Sequence, residues 1–202
     1  MNSIGKLFFI LCLLGVVQAG TSAQDRAAEA HGGWKMALLK KSGSVYESLP
    51  FGQSLTMTRR DSYQLYLAFN IHAFCYVIQE DDEGGLPFVF SKTVSPGDSI
   101  SLPEENRDFI AAEQPGTNRF YVIVSADHKN NLERLIGQYE REPGAVSLER
   151  SLLSEVLAIR RNVPSHPDPA EATPAETDRI MSGPLRFFEG RDDWVVTVTV
   201  RN

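Results

Sequence analysis

The chain has 202 residues, 42% of them hydrophobic, and sets 20 basic side chains against 26 acidic ones for a formal net charge of −6. That length can close one domain around a sizeable core. The acidic balance argues against nucleic acid, whose phosphates demand a basic face, and against docking on an anionic lipid surface.

In chain order, Lys6 precedes an unbroken apolar run from Leu7 to Val17, and small residues follow. A charged start, an apolar stretch and a small-residue zone read as a secretory signal peptide over residues 1–23. Val17 and Ala19 fit a cut after Ala19; Thr21 and Ala23 offer a second site after Ala23. The run is too short for a spanning helix. Cleavage after Ala23 removes Lys6 and no acid, leaving 179 residues with 19 basic against 26 acidic side chains, a net of −7. The expected location is the periplasm or the extracellular space. Cys12 lies in the apolar run; Phe9-Ile10-Leu11 before it lacks the small residue expected beside a lipidated cysteine. Cys75 is then the lone cysteine of the exported chain, so no internal disulfide forms and an ordinary core must hold the fold. Its setting in Ala73-Phe74-Cys75-Tyr76-Val77-Ile78 predicts a buried, inert thiol.

Residues 24–33 read as a loose lead-in to a single exported domain, residues 24–202, whose β core spans 34–126. Trp34 to Leu39 is a short strand and Pro50-Phe51-Gly52 a turn. Gln53 to Thr58 alternates, with Leu55 and Met57 on one face. Tyr63, Leu65, Leu67, Phe69 and Ile71 recur at period two, which predicts a half-buried strand. Ala73 to Ile78 is apolar on both faces, as a central strand covered on both sides would be. Asp81-Asp82-Glu83-Gly84-Gly85 makes a hairpin with both glycines at positive φ, and Leu86 to Phe90 returns with Pro87 near its start. Ser95-Pro96-Gly97-Asp98 turns into a short strand, Ser99 to Leu102, ended by Pro103. Gln114-Pro115-Gly116-Thr117 turns into Arg119 to Ala126, with Phe120 to Val124 buried. Strands at this spacing suggest a sandwich or barrel.

The period then changes. Leu132, Leu135, Ile136 and Tyr139 mark one helix face, with Asp127 as its N-cap. Pro143-Gly144 breaks it. Leu148, Leu152, Val156 and Ile159, widened by Leu153 and Leu157, mark a second helix, capped by Ser147 and ending on Arg160-Arg161. Residues 127–163 are therefore a helical hairpin with one apolar side on each helix. Residues 164–178 carry Pro164, Pro167, Pro169 and Pro174 and read as an extended linker. In residues 179–202, Phe187-Phe188 anchor the segment, and Trp194, Val196, Val198 and Val200 define a strand that returns to the sheet. The fold class expected is mainly β, a sandwich-like antiparallel sheet with an α-helical hairpin, α+β.

The order of three spans carries a family resemblance. They are Pro50-Phe51-Gly52-Gln53-Ser54-Leu55 leading into the Leu65–Phe69 strand; Ala73 to Ile78, acids, Gly84-Gly85 and Leu86-Pro87-Phe88-Val89-Phe90; and Val94-Ser95-Pro96-Gly97-Asp98, Leu102-Pro103, then Pro115 to Ser125. This resembles the bacterial domain of unknown function 4384 over roughly Phe51 to Ala126. Cys75-Tyr76 stands where that family has paired tyrosines, and Phe90-Ser91 where it has Phe-Pro. The resemblance implies an exported or envelope β-domain, in some members joined to enzymes, and carries over no catalytic residue.

Catalytic, cofactor-binding and metal-binding residues are all expected to be none. Nucleophilic catalysis needs a nucleophile, a base and an orienting group. His31 and His166 fall in polar segments, and His72 faces away from Cys75 at period two. Asp127-His128 sits at a strand-to-helix junction, where capping explains the aspartate; with a serine, these two are the guesses for an alternative reading as a hydrolytic enzyme. Asp81-Asp82-Glu83 lacks the alternate spacing of a calcium loop and reads as a solvated turn. Tyr63, Phe69, Phe74, Tyr76, Phe88 and Phe90 read mostly as core, with any exposed members suited to a peptide or protein ligand. The expectation is a non-catalytic interaction module of the bacterial envelope with a protein or peptide partner, no cofactor, no nucleic acid and no membrane span.

Overall fold

The computed structural model describes residues 32–49, 55–104, 107–111, 116–164, 169–172, 181–183, 185–190 and 192–201. The signal peptide, Cys12, His31, Pro50-Phe51-Gly52 and His166 lie outside these residues. The strands in chain order are β1 (Gly33–Ser42), β2 (Val45–Leu49), β3 (Leu55–Thr56), β4 (Ser62–Phe69), β5 (Ala73–Glu80), β6 (Phe88–Val94), β7 (Ser99–Leu102), β8 (Phe109–Ile110), β9 (Thr117–Ser125), β10 (Ala170–Ala172), β11 (Met181–Ser182), β12 (Leu185–Glu189) and β13 (Trp194–Arg201). The helices are α1 (Asn130–Tyr139) and α2 (Val146–Asn162).

Two mostly antiparallel sheets face each other. In the first, β4 runs along one edge of β1, while β12 and β2 share the other edge end to end. The far edge of β4 carries β7 and β8. The second has the order β3-β13-β9-β5-β6. The C-terminal strand thus returns to the sheet, as its Trp-Val pattern predicts, and lies antiparallel to β9 from Trp194–Val124 to Arg201–Thr117.

Period two sorts each strand into a core side and an outer side. Trp34, Met36 and Leu38 meet Leu65, Leu67, Cys75, Val77, Phe120, Val122, Val198 and Val200 between the sheets. Leu55 and Met57 join them, as their alternation predicts. The outer side of the second sheet, Tyr76, Ile78, Tyr121 and Ile123, lies under Leu132, Leu135 and Ile136 of α1 and Leu152 and Val156 of α2. Hence β5 is covered on both sides, as its unbroken apolar run predicts. Burial pushes the Cys75 thiol up to about 12, and the thiolate is the reactive form. Alkylation of native protein at mild alkaline pH is expected to be at least about a hundredfold slower than in denaturant; equal rates, followed by mass spectrometry, would contradict the burial.

Several local expectations need correction. β4 is buried on both sides, not one, because Tyr66 and Ala68 pack with Ala37, Leu39, Leu185 and Phe187 on the outer side of the first sheet. In the Asp81–Gly85 turn only Gly84 has positive φ, +83°. Gly85 is small for another reason: a Cβ there would sit 2.9 Å from Asp81 Oδ2. The return strand starts at Phe88, two residues after Leu86. Neither helix has the cap its sequence suggests. The α1 N-cap is Lys129 and that of α2 is Ala145, both without side-chain bonds. Asp127 stays outside α1 because its backbone closes a turn on Ser125 Oγ, and Ser147 is already inside α2, its carbonyl accepting from Ser151. Part of the proline-rich linker is strand: Ala170–Ala172 pairs with Leu185–Phe187. Backbone pairing with a well-buried partner replaces the apolar area those residues lack. Among the described residues no helix is long and apolar enough to cross a membrane.

Gly33 shows how closely the first sheet is fitted. A Cβ on it would lie 2.4 Å from the Phe188 carbonyl oxygen and 2.7 Å from the Phe187 ring. Its bareness lets β12 pair with β1 and lets Phe188 stack on Trp34, with ring centroids 4.1 Å apart and planes at 11°. Phe187-Phe188 thus anchor the C-terminal segment as expected.

Candidate functional site

Two places gather chemistry-bearing groups. The first is the junction where β9 leaves the sheet for α1. Glu133 Oε1 accepts from the Tyr76 hydroxyl at 2.6 Å and stands 2.9 Å from His128 Nδ1. The His128 ring lies against Phe74, centroids 3.7 Å apart. Beside them Lys129 Nζ donates to Asp193 Oδ2 at 2.6 Å, and the Ser125 hydroxyl lies 2.6 Å from Asp193 Oδ1. These contacts tie β5, β9, β13 and α1 together.

The junction holds Asp127 and His128, the two residues named for the hydrolytic alternative, whose serine has no assigned position. His128 and Asp127 are exposed, and Ser125 is fully buried. Glu133, not the Asp127 carboxylate, holds the His128 ring, and the Ser125 hydroxyl lies between Asp193 Oδ1 at 2.6 Å and the Asp127 carbonyl oxygen at 2.7 Å. His72 is exposed ahead of β5, away from Cys75 inside the sandwich. Glu133 and Asp193 were not singled out in the sequence, because each looks like one more charge on a solvated face.

The Glu133 carboxyl is held below its ordinary value of 4.5, first by the Tyr76 hydroxyl and then by His128, against the opposing effect of burial. A carboxyl with a lowered folded pKa stabilises the fold above its unfolded pKa, and the contribution is lost as pH falls through the folded value. Glu133→Gln should therefore flatten the acid limb of stability below pH 4.5. With its side chain 36% exposed, the difference should stay under about 1 kcal/mol. Urea midpoints across that limb measure it; an unchanged slope would remove Glu133 from the acid response.

Asp81 behaves as a turn residue. Its Oδ1 accepts from the backbone of Glu83 at 3.0 Å and of Gly85 at 2.7 Å. Among the described residues no group of three or more His, Cys, Asp or Glu side chains is placed to hold a metal ion.

The second place is the rim of the sandwich where both sheets end. Strand β6 closes the second sheet and, among the described residues, pairs only with β5. The register with β5 puts Phe88, Phe90 and Lys92 on the inner side. Phe88 and Phe90 stand parallel, 6.5 Å apart, and Phe109 of β8 meets Phe88 edge-on at 5.2 Å. Behind them Phe109 contacts Phe120 at 5.1 Å and Tyr63 at 5.4 Å. The deeper rings are buried, whereas Phe88, Phe90 and Phe109 are half-buried and Ile110 beside them is 59% exposed. Of the six aromatics read from the sequence, Tyr63, Phe69 and Tyr76 are core, while Phe74, Phe88 and Phe90 keep exposed area. Phe109 and Ile110 were missed: the four apolar residues between Asp108 and Glu113, two of them alanines, are too short a run to give a period.

The rim offers main-chain groups along one strand and a line of partly open aromatic faces, an arrangement suited to an extended polypeptide. Comparison of the chain with family models, with curated proteins and with solved structures gives no match in any of the three.

Proposed function

We propose that this chain is an exported, non-catalytic interaction module of the bacterial envelope that takes up an extended peptide segment as an added strand on β6. The observation that carries the reading is the seven-residue edge Phe88–Val94, which among the described residues pairs on one side only, with Phe88, Phe90 and Phe109 half-open along it. Edge strands usually carry devices that keep other chains off, and on β6 the inward Lys92 is one. Here aromatic faces are left partly open where they could pack against incoming side chains. The signal-like residues 1–23 supply the export, and the resemblance to the domain of unknown function 4384 agrees with an envelope β-domain.

The test begins with the protein expressed with its own N-terminus and recovered from outside the cytoplasm. N-terminal sequencing should find a cut after Ala19 or Ala23. Peptides selected from a random decapeptide library should protect β6 backbone amides from hydrogen exchange, and methylating alternate peptide nitrogens should cost at least about tenfold in affinity. Binders that leave β6 exchange unchanged, or no binders at all, would sink the proposal.

A further inference from the structure

Resting on the β6 reading, we infer that the accepted segment carries an acidic side chain opposite Lys92, in register with apolar side chains opposite Phe90 and Phe88. Residues directly opposite in paired strands share a face. The inner face of β6 reads Phe88, Phe90, Lys92 at period two, so an added strand meets it with apolar, apolar and acidic groups, each two residues apart. Of the outward positions, Val89 is half-buried against the helix-covered cluster, while Ser91 and Thr93 are exposed and uncharged and ask little of a ligand.

Lys92 is the point of selection. It is the one charged residue of β6, it points to the inner side, and it is exposed. Its neighbour across on β5 is Cys75, buried and uncharged. Among the described residues no carboxylate pairs with it. An inward charge on an edge strand repels indiscriminate strand pairing. A ligand that brings its own carboxylate turns the same charge from a penalty into an attraction, which is how one residue rejects most segments and keeps a few. The β6 strand of a second copy does not meet the requirement: Phe88-Val89-Phe90-Ser91-Lys92-Thr93-Val94 contains no acid, so β6 paired with β6 gives Lys92 no counter-charge from that strand.

The probes are the selected decapeptides and versions with their acidic residue changed to Asn or Lys, measured by fluorescence anisotropy on the wild-type protein and on Lys92→Glu and Lys92→Gln. Changing acid to Lys should weaken wild-type binding about fivefold. Lys92→Glu should invert the preference, and Lys92→Gln should abolish it. Peptides that protect β6 but bind regardless of charge, or favour a base at that place, overturn the acidic requirement while leaving strand addition intact. Peptides that never protect β6, or sedimentation showing β6 closed by a second copy at micromolar protein, overturn the strand-addition reading itself.

Discussion

Substituting Leu152 and Val156 together with Asp should unfold the whole domain and not merely release the helical hairpin. Both side chains are fully buried. Each change removes apolar burial and forces a charge into the gap between α2 and the sheet, at about 3–5 kcal/mol apiece. The sum is comparable to the whole stability of an ordinary domain, about 5–15 kcal/mol. The hairpin is no appendage: it covers Tyr76, Ile78, Tyr121 and Ile123, and Tyr139 donates to the Leu86 carbonyl at 2.6 Å while Glu149 Oε1 stands 3.3 Å from the Leu86 nitrogen. Once α2 is lost, four large apolar side chains of the central strands face water. Val146→Asp is the control. Val146 is 57% exposed in the first turn of α2, where an acid suits the helix dipole, so stability should move by no more than about 0.5 kcal/mol. Circular dichroism with urea titration separates the outcomes. A double variant that keeps a cooperative β transition and loses only helical signal would show that the sandwich stands without the hairpin.

How much of this was legible in the sequence follows from what each signal measures. Alternation in Leu55 and Met57, in Tyr63 to Phe69 and in Trp194 to Val200 reports which side chains share a face, and those faces do meet in the core. The helical spacing of Leu132, Leu135, Ile136, Leu152 and Val156 is equally local and equally sound. What a single strand cannot report is who covers its second side. The pattern of β4 looks half-buried because Gln64 alternates with its core residues; that Tyr66 and Ala68 meet Leu185 and Phe187, more than a hundred residues away in sequence, depends on β12 coming to lie beside β1. Ala170–Ala172 is strand for the same reason: its partner, not its composition, decides it. Caps fail differently. Asp127 is a good N-cap residue by type, yet the bond between its backbone and Ser125 Oγ starts the helix three residues later. The rim could be half read, since Phe88 and Phe90 stand out, whereas Phe109 gains meaning only from its 5.2 Å approach to Phe88 across the two sheets.

Trp34 should separate two contributions that are usually tangled, shape and polarity. Its indole is 1% exposed, stacked on Phe188 at 4.1 Å and on Phe69 at 6.3 Å. Its Nε1 meets no hydrogen-bond acceptor among the described residues. Trp34→Ala removes the ring from a closely packed core and should cost about 3–5 kcal/mol, enough to leave a marginal domain partly unfolded at room temperature. Trp34→Phe keeps a ring against Phe188 and leaves a smaller void. It also discards a buried donor whose unmet bond costs about 1–3 kcal/mol, so the loss of packing and the removal of the orphan work in opposite directions. The net change for Trp34→Phe should stay within about 1.5 kcal/mol of wild type. The comparison is made by urea unfolding of the three proteins in one buffer, with equal slopes required before midpoints are compared. A Phe variant as damaged as the Ala variant would mean that the indole nitrogen is satisfied in solution, and that the joint between β1 and β12 depends on that bond and not only on the stack. A Phe variant near wild type would place the stability of the joint in the Trp34–Phe188 contact, the contact that Gly33 permits by having no side chain.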